Sequence, residues 1–567
     1  MLRLNKILNK NERIDSFFLL IFITIFLWMS LGPIMNYRLV NDFPTGFGSC
    51  DAYAWFTYSQ NIYESGNFKY DPPFLHLNYE GFVSPEPPLF LHLNAYLSHA
   101  LGIPLYDAQV LLGVLLIIFA ILIFFVTIKS YNPILAYFSI PLTVFSFTFP
   151  FIAGLVFGIL PAIFGFLFLF ATLFILLNMD IKYSSIILGI FFSAMIMGHP
   201  IRVFEFLFFG GFLFLLLLIF KKMNWQFFKK IILSIFLAFI TSLYYLSVLK
   251  ERFINESGNF AFKPVLVGRY MNISLNDFGI IQYVIILGLI LCFYFLIKDR
   301  KNLKVLIFTY PLVAFILVQF FRFHRMYQIA FFWPLFFSLA FGSVLYMIFQ
   351  FKLLSKINKK KLACLIIAII LSSIFIYQYY YFFREPVLEK IYESGTTSLN
   401  QKQWDNLVWI SKNTKLNAKI LFFYSADRNL GGYFFFPARR LGYYIQLNEL
   451  DSAIEQRVLK KDYNIKSYAS PFFYKRNSKF PLKVTSLDKE TFDKELLICD
   501  FDYIYGKIAI PVTTIGNRDI IDKRTESRVL YTVDLFNTLL KNKNFEIVHK
   551  NEEALILKNN DPGGKCL

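Results

Sequence analysis

Phe17-Phe18-Leu19-Leu20-Ile21-Phe22-Ile23-Thr24-Ile25-Phe26-Leu27-Trp28-Met29-Ser30-Leu31-Gly32-Pro33-Ile34-Met35 is an apolar run long enough to cross a bilayer. It leads into Asn41-Asp42-Phe43-Pro44-Thr45-Gly46-Phe47-Gly48-Ser49-Cys50-Asp51-Ala52-Tyr53-Ala54-Trp55, a polar, Gly-rich stretch that opens a helix. Arg3, Lys6, Lys10 and Arg13 precede the run. Basic residues stay on the cytoplasmic side, and no small-residue cleavage site follows, so the run reads as an uncleaved first span that delivers Asp51 to the outside.

The rest of the chain repeats this grammar. Apolar runs near 109–128, 132–150, 155–178, 184–199, 203–220, 231–249, 279–297, 303–320, 327–349 and 362–382 bring the expected count to about eleven spans. A short break at Gly198-His199-Pro200 separates two of them. Lys129, Lys182, Lys221, Lys222, Lys229, Lys230, Lys298, Arg300, Lys301, Lys304 and the Lys352–Lys361 run all fall in alternate connections, which are therefore inside. Asp42, Asp51, Glu64, Asp71, Glu80, Glu86, Asp107, Glu205, Glu251, Glu256 and Asp277 all read as outside acids, Glu205 standing at the outer edge of the 203–220 run. Two outside loops are long, about 36–108 and about 250–278. The expected localisation is the plasma membrane, with the N-terminus cytoplasmic and everything after Arg384 outside.

Of the 567 residues, 56% are hydrophobic and only 17% are charged, against about 25% in soluble domains. The net charge of +19 belongs to the inside loops and needs no nucleic-acid partner. There is no GxxxxGK[ST] phosphate loop. Cys50, Cys292, Cys364, Cys499 and Cys566 are scattered, so neither a zinc site nor a disulfide framework is indicated.

After about residue 384 the apolar runs shrink to strand length. Gln403–Ile410 has helical spacing, with Trp404, Leu407 and Val408 on one face. Lys419–Tyr424 reads as a buried strand, Tyr433–Phe436, Phe501–Tyr505 and Phe545–Val548 as further strands, and Ala554–Leu557 as the closing half of a hairpin. Helical stretches lie near 449–460 and 533–542. The expected organisation is a transmembrane domain over 1–383, an extracytoplasmic α/β domain over 384–558 and a loose tail over 559–567.

In the first outside loop a helix fits from about Asp51 to Ser65, capped by Ser49 and ended by Gly66. Asp51 then stands in the first turn, where the helix dipole favours a carboxylate. An ionised Asp at the water interface acts as a general base or holds a divalent cation; the plainer role is to cap a surface helix. Downstream, Asp71-Pro72-Pro73 and Ser84-Pro85-Glu86-Pro87-Pro88-Leu89-Phe90 impose a fixed extended path.

The chain resembles the GT-C superfamily of membrane glycosyltransferases, which use polyprenyl-phosphate-linked sugars. The resemblance is carried by the first span, Asp51-Ala52-Tyr53-Ala54-Trp55, Asn61-Ile62-Tyr63-Glu64-Ser65-Gly66, Glu86-Pro87-Pro88-Leu89-Phe90, Phe157-Gly158-Ile159-Leu160-Pro161 and Trp404–Thr414. It implies that Asp51 is the catalytic acid of the first loop. Oligosaccharyltransferase subunits of that superfamily carry a second acidic pair after the third span, but here Phe149–Leu155 holds no acid. They also carry a WWDYG-type motif, which Trp404-Asp405 is not. The resemblance therefore implies transfer of a single sugar from a polyprenyl monophosphate.

Phe321-Arg322-Phe323-His324-Arg325 stands at the outside end of a late span. Arg matches phosphate oxygens bidentately, so Arg322, His324 and Arg325 are candidates for the lipid phosphate; interface anchoring is the alternative. His199 and Arg202 are further phosphate candidates, against a helix-break role for His199 and an Arg202–Glu205 pair. Glu86 is a candidate substrate contact, and Asp51 and Glu256 are candidates to hold a divalent cation such as Mg or Mn. The expected partners are the bilayer, the lipid-linked sugar and an extracytoplasmic acceptor. Two other readings stand: a flippase for a lipid-linked saccharide, and a non-catalytic scaffold.

Overall fold

Asn132 shows how one of these helices starts. Its Oδ1 accepts the backbone N–H groups of Ile134 (3.0 Å) and Leu135 (3.2 Å), and Pro133 supplies the first helical residue. The computed structural model describes residues 10–38, 50–67, 74, 82–84, 86–144, 158, 160–260, 281–320, 333–350, 401–423, 437–445, 447–458, 463, 465–467, 473–487, 496–509, 512–515, 518–521 and 523–564.

The helices of the apolar part are α1 (Lys10–Arg38), α2 (Cys50–Ser65), α3 (Pro88–Leu101), α4 (Leu105–Lys129), α5 (Pro133–Val144), α6 (Leu160–Leu176), α7 (Ser184–Gly198), α8 (Ile201–Ile219), α9 (Trp225–Phe260), α10 (Ile281–Lys298), α11 (Thr309–Phe320) and α12 (Trp333–Gln350). Among the described residues, three are long and apolar enough to cross a membrane: α4, the Trp225–Arg252 part of α9, and α10. Shorter apolar helices occupy most of the other expected spans; the run near 362–382 lies outside the described residues. The most apolar window of α4 is 61% buried, against 28% for α9 and 33% for α10. So α4 is central, while α9 and α10 turn a broad face to lipid.

Small residues let these helices approach closely. A Cβ on Gly288 of α10 would lie 2.0 Å from the Ala340 carbonyl oxygen of α12. Backbone cannot swing aside as a side chain can. We expect Gly288→Ala to destabilise by about 1–3 kcal/mol, read as a lower Tm of the detergent-solubilised protein; an unchanged Tm would refute this close approach.

The connections sort onto two ends. At one end Lys129 and Tyr137 both bind the Asp15 carboxylate, Tyr131 binds Asp299, and Asn132 Nδ2 donates to the Tyr346 hydroxyl (3.2 Å). Lys222 and Lys230 donate to the Lys301 and Met179 carbonyls at the same end. These are the Lys-rich connections of the sequence. The other end carries α2, α3, the last turns of α9 and the C-terminal elements.

One acid departs from expectation. Glu205, read as an outside acid, lies within α8 and is 5% exposed. The helix begins at Ile201, just past the short break at His199-Pro200, so Glu205 stands in its second turn rather than in a loop.

The C-terminal residues build α13 (Gln401–Asn413), α14 (Leu447–Glu455) and α15 (Lys523–Leu539) around a mixed sheet. With β1 (Phe82–Val83) in the first loop, the strands are β2 (Ile420–Phe423), β3 (Gly442–Ile445), β4 (Ile465–Ser467), β5 (Phe473–Arg476), β6 (Val484–Leu487), β7 (Tyr503–Lys507), β8 (Val512–Ile515), β9 (Arg518–Ile521), β10 (Phe545–Lys550) and β11 (Ala554–Asn559). The large sheet has the order β10-β11-β7-β2-β3-β4, with β2 parallel to both β7 and β3. Ile420 and Phe422 pack with Leu407 and Ile410 of α13, while Leu421 and Phe423 pack with Leu535, Phe536 and Leu539 of α15. Alternate residues thus serve two covered faces, which is why this strand is apolar throughout. The strand expected at Tyr433–Phe436 lies outside the described residues.

Arg440 ties β3 to the end of α13. Its guanidinium donates to Thr414 Oγ1 (2.9 Å) and to the Ser411 (2.9 Å) and Thr414 (2.5 Å) carbonyls, oxygens that the helix end leaves free. Past β11, Asn560 and Gly563 donate to the carbonyls of Asn544 and Cys499, each at 2.8 Å. Cys499 is in a disulfide, which scattered cysteines did not foretell.

A second, small sheet has the order β1-β5-β6, so the first loop completes a sheet of the C-terminal residues. Val83, Tyr474 and Val484 of that sheet pack on Val248 of α9.

Candidate active site

The helix expected over Asp51–Ser65 is α2, which begins one residue earlier. Gly66 ends it at φ +62°, with its N–H on the Ile62 carbonyl at 3.0 Å. Asp51 is the second residue of α2, in the turn whose unpaired N–H groups favour an anion; its carboxylate lies outside what the structure describes.

The helix is held on several sides. Toward the apolar part, the Trp55 indole N–H donates to the Gly158 carbonyl at 2.5 Å. Gly158 has φ +71°, a left-handed conformation that suits glycine, and stands two residues before α6. Toward the C-terminal residues, Trp404 of α13 stacks on Tyr53 (centroids 6.4 Å) and meets Phe56 edge-on (6.3 Å). At the far end of α2, Arg439 pairs with Glu64 at 2.6 Å. Ala52, Tyr53, Ala54 and Trp55 are all buried. Asp51 therefore opens a helix clasped between the two halves of the chain.

Glu86-Pro87-Pro88 leads into α3, with Pro88 as its first residue. The Glu86 N–H donates to Ser84 Oγ at 3.2 Å. His199 caps the end of α7, its N–H on the Met195 carbonyl at 3.0 Å, and is 8% exposed. The adjacent Gly198 lies against Phe164, about one turn into α6. His199 and Trp55 thus meet the same end of α6 from different segments. Arg202 falls in the first turn of α8 and Glu256 in the last turns of α9, but their side chains lie outside the described part, as do Arg322, His324 and Arg325 altogether.

A cavity of about 430 Å³ opens between α7, α8 and α9. Leu176, Leu217 and Phe227 line it at the Lys-rich end, and Met195, Val203 and Leu246 at the other. Gly210 and Gly211 of α8 leave it room. Its walls are apolar side chains, among them Val203 and Phe206, which flank Glu205 in the chain.

Across α13, Lys507 ends β7 on the face that Tyr505 and α13 share. Gln403 Nε2 donates to Glu553 Oε2 (3.3 Å), and burial holds the Lys507 ammonium below its usual pKa, partly offset by Glu553. No spacing in the sequence marks Lys507 or Glu553. Among the described residues no three His, Cys, Asp or Glu side chains converge to hold a metal ion.

No family model matches the chain, and no curated protein matches it in sequence. Solved structures do match in shape. One is archaeal oligosaccharyltransferase AglB from Archaeoglobus fulgidus in complex with an inhibitory peptide and a dolichol-phosphate, at TM-score 0.50 and 12% identity over 76% of this chain. The chain spans 64% of that protein's length. Another is ArnT from Cupriavidus metallidurans bound to undecaprenyl phosphate, at TM-score 0.50 and 12% identity over 95% of this chain and 97% of that one. At such identities the likeness establishes the fold, and it is the GT-C fold that the motifs of the sequence resemble.

Proposed function

We propose that the chain is a membrane glycosyltransferase. It takes a sugar from a polyprenyl-phosphate donor and passes it to an acceptor on the extracytoplasmic face. The observation that carries this is the placement of α2. Its first turn bears Asp51, and its flanks are locked to the membrane helices by Trp55 and to the C-terminal residues by Trp404. A reacting group needs that rigidity, and a surface cap does not. The AglB and ArnT structures hold dolichol-phosphate and undecaprenyl phosphate, which supports a lipid-phosphate donor.

In this reading the lipid tail lies in the α7–α8–α9 cavity. His199, Arg202, Arg322, His324 and Arg325 gather the phosphate. Asp51 takes the proton of an acceptor hydroxyl, whose oxygen attacks the anomeric carbon. The carbon–oxygen bond to phosphate breaks, polyprenyl phosphate leaves, and the anomeric centre inverts. The full arrangement is about eleven spans over 1–383, with an extracytoplasmic α/β domain over 384–558 that presents the acceptor near Lys507 and Gln403. The Cys499 disulfide supports an oxidising compartment for that domain.

The test is reconstitution of the full chain in proteoliposomes with radiolabelled polyprenyl-phosphate sugars and cell-surface glycan acceptors. Label should move to acceptor. Glu205 favours one second reading, because a buried carboxylate in an apolar helix suits a transport path. Label that crosses the bilayer still attached to lipid, without transfer, would establish the flippase instead. The same assay with a chelator tells whether Asp51 acts as a base or as a ligand to a divalent cation.

A further inference from the structure

The β5–β6 hairpin reaches out from the C-terminal residues along α9. Its connection, Asn477-Ser478-Lys479-Phe480-Pro481-Leu482-Lys483, is held in one shape. Asn477 Oδ1 accepts the N–H groups of Lys479 (2.8 Å) and Phe480 (3.0 Å), and the Lys483 N–H donates to the Phe480 carbonyl (2.8 Å). Yet Phe480 is 68% and Leu482 54% exposed. A rigid turn that presents two large apolar side chains outward is costly in water.

The surroundings of the hairpin are not those of a soluble loop. Arg476 lies over the Tyr244 ring, 3.7 Å from its centroid, and donates to Ser247 Oγ (3.3 Å) and the Tyr244 carbonyl (3.2 Å). Tyr244 is itself exposed and continues a row of exposed Ile232, Phe236, Phe239 and Ile240 along α9, the face that span turns to lipid. It lies about 12 Å along the helix from Arg252, where the apolar span ends. The hairpin therefore stands at the depth where headgroups give way to acyl chains. From Phe473 to Leu487 it carries Lys475, Arg476, Lys479 and Lys483 and no acid.

We propose that this hairpin is a membrane-inserted tip, with Phe480 and Leu482 in the acyl boundary and Lys475, Lys479 and Lys483 on anionic phospholipid headgroups. Apolar residues ringed by snorkelling lysines are the pattern of an interfacial anchor. It would hold the C-terminal residues, and with them Trp404 and α2, at a set height above the bilayer. The proposal rests on the membrane placement of α9 and is independent of glycosyl transfer.

The test places a photoreactive benzoylphenylalanine at one position of the full chain in nanodiscs that mix anionic and zwitterionic lipid. Phe480 is the site in question, Phe236 the lipid-facing control and exposed Ile547 the solvent-facing control. Lipid adducts after irradiation at 480 and 236, and none at 547, are expected. Replacing Lys475, Lys479 and Lys483 one at a time by Gln should cut the excess of anionic over zwitterionic adducts about fivefold for each lysine. Lipid adducts at 236 but only protein adducts or none at 480 would overturn the proposal. Absence at both 236 and 480 would overturn the membrane placement of α9, and the proposal with it. Equal adduct yields at 480 and 547 would show non-specific labelling and overturn it as well.

Discussion

Asp51→Asn should lower the transfer rate by about 10²–10⁴-fold, the usual span of general-base assistance. The substitution keeps size and hydrogen-bonding capacity and removes only the charge and the basicity. Its structural cost is small, because one carboxylate in a first helical turn contributes about 0.3–1 kcal/mol. The buried residues that fix α2 are untouched, so Tm and membrane insertion should not move. Steady-state rates in proteoliposomes, beside a melting curve of the same preparation, decide the matter. Full activity with an unchanged melt would remove Asp51 from the chemistry.

Trp55→Phe separates position from chemistry. Phenylalanine keeps most of the buried aromatic surface but has no N–H to give to Gly158. A buried carbonyl left without its partner costs about 1–3 kcal/mol. The larger consequence concerns geometry. Trp55 lies one turn along α2 from Asp51, and a shift of about 1 Å in a reacting group can cost about 10²-fold. We expect kcat to fall by about 10–10²-fold while donor binding, measured separately with the non-hydrolysed lipid phosphate, stays near wild type. Trp409→Phe is the control: Trp409 stacks on His549 at 5.0 Å, on the sheet side and away from α2. If both variants lose activity equally, the Trp55–Gly158 contact has no special role in placing Asp51.

Much of the architecture was legible because it follows from local patterns. The α2 bounds were readable within a residue, since a glycine that ends a helix, here Gly66, is a local signal. The break at His199 was readable for the same reason. The β10–β11 hairpin was also readable, from two short apolar runs around a polar turn. Glu205 was misplaced because an acid at the edge of an apolar run can belong to the loop or to the helix, and composition alone does not say which. Strands β3 to β6 carry few apolar residues in alternation, and the two-residue β1 is too short to show any period.

The site divided differently. Asp51 could be singled out from its own neighbours, since a carboxylate in a first turn after a first span is a local fact. Trp404 was visible as one face of a short helix and as part of a resembling block, with no hint of what it touches. The Glu64–Arg439 pair, the Arg476–Tyr244 contact and the exposure of Phe480 had no signal at all.

By itself the sequence determined which segments are apolar enough for lipid, which connections are basic, and where the helix bearing Asp51 begins and ends. These depend on hydrophobicity, charge and backbone preference over a few neighbouring residues. Only the tertiary structure decided that this helix would be clasped by Gly158 on one side and Trp404 on the other, and that the first loop would lend a strand to the C-terminal sheet. Such contacts join segments far apart in the chain. Their energy comes from shape and hydrogen-bond complementarity between surfaces that do not exist until both have folded.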